Sequence, residues 1–412
     1  MPEIDSPQLR RERFAGVVAV ALVCLALPSV VLLVCDVDTN AEREVAASWF
    51  VGSFALGALI PLLFWAPYRA IGFATWGTLA WFVAVVASVF FVTGNWPGFA
   101  HGLPLGAIIG GLVRGRRGPQ PAEETTGLLG AVLLGIGFSW LFISRGQPFD
   151  MTGYFLLVIS LALMGWNWTR LFRPCYELSL EPLVWIAFSI RGRGPGLEKF
   201  PRTGACLVIA NHACWFDPLF IAKVLPRPIT PMMTAKFYDL PILRWLMVSF
   251  GVIRVPEKAI KRDASELQDA IAALDRGECV IIFPEGYLRR NEEQPLRRFG
   301  QGIWQILKAR PGTPVFACWI EGAWGSYTSY FNGKPTKNKR RDFRRAISVG
   351  VSTSVEIPPE LLSDHMPTRL HLMNLTLQAR TYLDLPPLPP FEMMAKIDEK
   401  PDETEAASSS SE

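Results

Sequence analysis

Apolar residues fall along this chain in two patterns. Up to residue 170 they come in long runs, at 14–35, 49–65, 71–94, 99–113, 127–144 and 152–168. About 20 consecutive apolar residues cross a bilayer, so these runs predict about six membrane spans. The run at 99–113 is short and glycine-rich, and reads as re-entrant or spanning. Beyond residue 200 the runs shorten and alternate with amphipathic stretches. Residues 206–210, 252–255, 279–283, 315–320 and 346–351 read as strands, and 218–225, 240–250, 263–276, 303–309 and 370–383 as helices. The helix at 263–276 is well marked. Asp263 can cap it, Glu266 follows three residues later, Leu267, Ile271 and Leu274 share a face, and Gly277 ends it. Strands alternating with helices predict an α/β domain with a mostly parallel or mixed sheet.

The expected organisation is a helical membrane domain over 1–170, an amphipathic connector over 171–200, the α/β domain over 201–385, and a disordered tail over 386–412. The connector, with Trp185 and Phe188, reads either as a membrane-surface helix or as the first helix of the soluble domain. The end of the tail is acidic and serine-rich and has little to bury.

Loop charges orient the spans. Arg10, Arg11 and Arg13 precede the first, and Arg69, Arg114, Arg116, Arg117, Arg170 and Arg173 fall on the same side if there are six. The acidic Asp36, Asp38, Glu42 and Glu44 fall on the other. The expectation is an integral, multi-pass membrane protein whose α/β domain is cytoplasmic. A transport path is not indicated, because His101 is the only ionisable residue near a span and lies at its end.

A net charge of +4 on 412 residues is too small to imply a nucleic-acid partner. Seven cysteines are scattered without CxxC spacing, so neither a zinc site nor a disulfide framework is expected.

The chemistry concentrates where the strand at 206–210 stops. Asn211 and His212 follow at once, and Asp217 comes five residues later, before Pro218. A neutral imidazole can take a proton from an alcohol near pH 7. A carboxylate on its other nitrogen fixes the tautomer. There is no GxSxG elbow, and Cys214, alternating with His212, is expected to point elsewhere. The base is therefore read as acting on a substrate hydroxyl directly. Asp217 also has a simpler reading, as the cap of the helix that follows it.

A second motif, Phe283-Pro284-Glu285-Gly286, follows another buried strand and precedes Arg289 and Arg290. The pairing of Asn-His-x4-Asp-Pro with Phe-Pro-Glu-Gly about seventy residues later resembles the glycerolipid acyltransferases, whose best-known members make phosphatidate from lysophosphatidate. The resemblance covers about 203–322. It extends to Phe299 and Gly302, and to the stretch from Thr313-Pro314-Val315 to Gly322. It implies that His212 is the general base and Asp217 its orienting partner. Acyl-CoA or acyl-carrier protein would be the co-substrate, with no metal and no other cofactor. Asn211, Phe283, Pro284, Glu285, Gly286, Arg289 and Arg290 would be substrate-binding. Glu285 has a structural reading beside this one, holding its loop through backbone amides.

The chain departs from the family pattern at two places. Glu257 stands where the second block usually has its arginine, so Arg254 or Lys258 would have to bind phosphate. Tyr287-Leu288 replaces the usual threonine and arginine. Lysophosphatidate is the default acceptor. Glycerol 3-phosphate, another lysophospholipid and an amino-lipid are the alternatives, as is a transporter or scaffold with a degenerate acyltransferase domain. The basic run Lys337, Lys339, Arg340, Arg341, Arg344 and Arg345 reads as a contact for anionic membrane lipids, as a dock for acyl-carrier protein, or as a solvated loop.

Overall fold

The computed structural model describes residues 40–63, 68–90, 96–115, 155, 158–159, 162, 168–256, 265–337, 339 and 341–391. The described chain forms two compact units. One holds Trp185–Lys236 and the chain from Ile253 on, and the other holds the residues up to Val184 together with Phe237–Val252.

The helical unit contains α1 (Asn40–Leu63), α2 (Ile71–Phe90), α3 (Trp96–Gly115) and the start of α4 (Trp168–Ala187). The expected six-span membrane domain is not borne out. Among the described residues no helix is long and apolar enough to cross a membrane. The segments at 14–35 and 127–144, and most of 152–168, lie outside the described residues.

The remaining helices show why runs of apolar letters overstated the case. The first turns of α1 carry Glu42, Arg43 and Glu44, and Pro61 lies near its end. The first half of α2 holds Gly72, Thr75, Gly77 and Thr78. His101, Pro104 and Arg114 interrupt α3. The glycines of α3 are a packing face. A Cβ on Gly106 would sit 2.1 Å from the Phe54 carbonyl oxygen of α1, so only glycine lets the two backbones approach. Arg69, counted above as a loop charge, is buried and pairs with Glu177 at 3.0 Å and Glu181 at 3.3 Å, one turn apart on α4. Its charge is thus spent within the unit rather than on orientation.

The second unit is built on a seven-stranded sheet in the order β1-β7-β6-β2-β5-β3-β4. The strands are β1 (Phe188–Arg193), β2 (Cys206–Ala210), β3 (Thr230–Thr234), β4 (Ile253–Val255), β5 (Cys279–Ile282), β6 (Val315–Glu321) and β7 (Arg345–Val351). All neighbours are parallel except β6 and β7. Strands β2 to β6 therefore run one way, and β1 and β7 the other.

The longer helices of this part of the chain are α5 (Asp217–Val224), α6 (Pro241–Ser249), α7 (Ser265–Asp275), α8 (Gly302–Ala309) and α9 (His365–Ala379), with α6 belonging to the helical unit. Alternation along the central strands sorts their side chains. Leu207, Ile209, Val280, Ile282, Val315, Ala317 and Trp319 pack with Ala270 and Leu274 of α7, Ile303 and Ile306 of α8, and Leu372 and Leu377 of α9. Phe188 stacks edge-on against Phe220 of α5 at 4.8 Å, and Phe200 lies 4.5 Å from Phe316. Buried on all sides, β2 and β5 read as unbroken apolar runs. The mixed α/β sheet is as expected. Strands β1 and β3 were not read from the sequence.

Candidate active site

Strand β2 runs into the sheet centre and stops at Ala210, where the chain must turn. Asn211 makes the stop. Its side-chain amide donates to the Ile320 carbonyl at 3.0 Å and accepts the Ile320 N–H at 2.7 Å, pairing like one more residue of the ladder with β6. It is 3% exposed. Both ends of the amide are engaged, so Asn211 anchors the loop instead of facing a substrate.

His212 leaves this anchor with its ring partly exposed. Its Nδ1 lies 2.9 Å from Asp217 Oδ2. The same oxygen accepts the N–H of Ala213 at 2.6 Å and of Cys214 at 2.9 Å, and the Cys214 Sγ donates to Oδ1 at 3.2 Å. Asp217 is the first residue of α5 and is fully buried. Its carboxylate turns back to the loop that carries the histidine, which is more than a helix cap would do. Phe283 covers the imidazole, stacked at 4.2 Å between ring centres with 22° between planes.

The third block holds the loop from the other side. Glu285 Oε1 accepts the His212 N–H at 2.7 Å, and Oε2 accepts the Arg297 N–H at 2.9 Å. The Arg289 N–H donates to the His212 carbonyl at 2.7 Å. Both backbone groups of His212 are thus fixed by residues that follow β5. Burial pushes the Glu285 carboxyl up to about 8, and the nearby Asp217 adds to the rise, against the pull of the two N–H donors. The Pro284 carbonyl accepts the Gly300 N–H at 2.7 Å. Gly286 closes the turn onto Phe283 with φ at +74°, a conformation other residues rarely adopt.

The predicted cations are placed less uniformly. Arg289 lies 4.5 Å above the Trp324 ring and donates to the carbonyls of Asn291 and Glu292. Arg290 lies 5.0 Å above Tyr330. Arg254 is exposed on the edge strand β4, with β5 and β3 between it and β2. Lys258 lies outside the described residues.

Sequence reasoning missed Cys214, expected to point away but directed at Asp217. It also missed Arg297, which acts through its backbone, and the Trp324–Tyr330 loop, which supplies the rings under the arginines. Neither has a spacing signal.

Comparison with known proteins meets this geometry. Residues 193–321 match the family model "Acyltransferase". The resemblance to the glycerolipid acyltransferases holds. The chain is 28% identical over 144 residues to a 1-acyl-sn-glycerol-3-phosphate acyltransferase of Borreliella burgdorferi, covering 35% of this chain and 54% of that protein. It is 31% identical over 167 residues to an uncharacterized protein of Mycobacterium tuberculosis, covering 37% and 44%. A chloroplastic 1-acyl-sn-glycerol-3-phosphate acyltransferase of Arabidopsis thaliana is 24% identical over 173 residues, covering 40% and 47%. The match spans about half the length of these curated relatives. The crystal structure of the 1-acyl-sn-glycerophosphate acyltransferase PlsC from Thermotoga maritima aligns with a TM-score of 0.38 and 17% identity, over 65% of this chain and 97% of that one. The acyltransferase match ends at β6 and contains every described site residue named above from His212 to Arg297.

Proposed function

We propose that the chain transfers an acyl group from acyl-CoA or acyl-carrier protein to the hydroxyl of a lysophospholipid, with 1-acylglycerol 3-phosphate giving phosphatidate as the leading case. The observation that carries this reading is the His212–Asp217 pair held at the end of β2 by Glu285. With Nδ1–H directed at Asp217, the lone pair of the neutral ring lies on Nε2. Nε2 takes the proton of the acceptor hydroxyl as its oxygen attacks the thioester carbonyl. The carbon–sulfur bond then breaks, and the leaving thiolate takes the proton back from the imidazolium. Cys214 supports direct transfer over an acyl-enzyme. Burial and the neighbouring Asp217 hold its thiol well above the usual range, so it is a poor nucleophile. Arg289 and Arg290, on their aromatic supports, are the cations nearest in sequence to the clamp and suit an acceptor phosphate. The partners on this reading are membrane lipid and the acyl carrier, met on the cytoplasmic side, and no further cofactor takes part.

The test offers labelled acyl-CoA, and then acyl-carrier-protein thioesters, with glycerol 3-phosphate, lysophosphatidate, zwitterionic lysophospholipids and amino-lipids. Labelled phosphatidate from lysophosphatidate, lost in His212→Ala, is the expected result. Transfer only to another acceptor would keep the chemistry and move the substrate. Silence with every pair would overturn the reading.

A further inference from the structure

The Asp217 carboxylate is unevenly served. Oδ2 takes three donors, the His212 Nδ1 and the N–H groups of Ala213 and Cys214. Oδ1 has the Cys214 thiol, at 3.2 Å. Cys214 itself is held firmly. It is fully buried, its backbone forms a bridge with Ser329, and its thiol interacts with Thr328. A carboxylate can rotate about its Cβ–Cγ bond, where the preferences are broad. Rotation would carry Oδ2 away from the imidazole and leave a buried acceptor unpaired.

We propose that Cys214 is a positioning residue for the transfer reaction: its thiol, by donating to Oδ1, sets the rotation of the Asp217 carboxylate and so keeps Oδ2 on His212 Nδ1–H. The inference rests on the acyl-transfer reading for its kinetic consequence, but its structural core is the state of the imidazole. Cys214 touches no reacting atom. It acts through Asp217, and its backbone links that carboxylate to the loop containing Trp324 and Tyr330.

Three variants separate this role from space filling. Cys214→Ser keeps a hydroxyl donor at nearly the same place, whereas Cys214→Val and Cys214→Ala lack one. With thioester and lysophosphatidate, Cys214→Ala and Cys214→Val are expected to lower kcat about tenfold with KM for both substrates unchanged. Cys214→Ser is expected to stay within about twofold of the parent. Thermal unfolding identifies any variant that fails to fold. The second measurement needs no substrate. The 15N shifts of the His212 ring, assigned with His212→Ala, report which nitrogen carries the proton. The parent and Cys214→Ser are expected to show the Nδ1–H form, and Cys214→Val a mixture of the two tautomers. An unchanged tautomer and unchanged kcat in folded Cys214→Val would overturn the proposal, as would a folded Cys214→Ser no better than alanine. If no acceptor is acylated by the parent while the tautomer still follows the donor, the acyl-transfer reading fails and the positioning role stands.

Discussion

Glu285 and His212, 73 residues apart in sequence, meet through a 2.7 Å hydrogen bond from the histidine backbone N–H to the carboxyl group. The contact is to the main chain, and the other carboxyl oxygen is on Arg297. Glu285 thus sets where the histidine sits. An unsatisfied buried N–H costs about 1–3 kcal/mol. Glu285→Ala strands two, so a loss of about 3 kcal/mol in denaturant unfolding is expected. In the folded fraction kcat should fall and acceptor KM should hold. A KM rise with kcat unchanged would return Glu285 to the acceptor pocket.

The same residue gives stability a pH slope. Its folded value of about 8 lies above the ordinary 4.5. Between those values the unfolded chain has released a proton that the folded chain retains. Unfolding therefore releases a proton, and this contribution to stability declines as pH rises from about 4.5 to about 8. Glu285→Gln removes it. Thermal midpoints of the parent, followed from pH 5 to 8 against those of Glu285→Gln, should show the steeper decline in the parent. Parallel curves would show that the group does not titrate in that window.

Asp217→Asn tests the orienting carboxylate. An asparagine must turn either its oxygen or its NH2 to His212. The place of Oδ2 also takes the N–H of Ala213 and Cys214, so the oxygen stays there, and the variant loses the negative charge that stabilises the imidazolium. A loss of roughly 10²-fold in kcat is expected, measured under conditions where the variant is folded by circular dichroism. Near-parental turnover would reduce Asp217 to the start of α5.

Asn211 was expected to bind substrate, and its contacts assign it to the sheet. Asn211→Ala unpairs the N–H and carbonyl of Ile320 in a buried strand end. A loss of roughly 2–4 kcal/mol is expected in urea unfolding, with substrate KM unaltered in the folded protein. A stable variant with a raised KM would restore the original assignment.

What could be read in advance divides along physical lines. The runs Cys206–Ala210 and Cys279–Ile282 announced central strands because both faces are buried, and a strand buried on both sides has no polar alternation to confuse it. His212 and Asp217 were legible because the chain stops abruptly there, and the same spacing that suggests a base and its partner also returns the carboxylate to the loop. Strand β1 was hidden. It is an edge strand in which only Ile190 is buried, and it follows a helix whose apolar residues continue into it. Strand β3 was hidden by Pro231 and two methionines, poor strand formers held by pairing with β5 and β4. The six-span reading failed over the described residues because hydrophobicity counts letters. It could not see that Gly106 and its neighbours are spaced for helix contact, or that Arg69 had partners a hundred residues away. Cys214 was misjudged because alternation applies to strands, and the strand had already ended at Ala210.

The route of the chain between its two units bears on how the molecule can be divided. It passes from one to the other at Val184, again at Lys236, and back at Val252. A truncation beginning at Trp185 would therefore not isolate the sheet cleanly. It would retain Phe237–Val252 while discarding their companions. Trp245, which meets Tyr176 edge-on at 5.0 Å, would lose that partner, and Leu240 and Ile242 beside it are already exposed. Such a fragment would carry a sticky apolar helix and would be prone to self-association. Because β3 and β4 on either side of α6 are parallel, no tight turn can join them, and excising the acyltransferase part would require replacing Phe237–Val252 by a polar crossover of about a dozen residues.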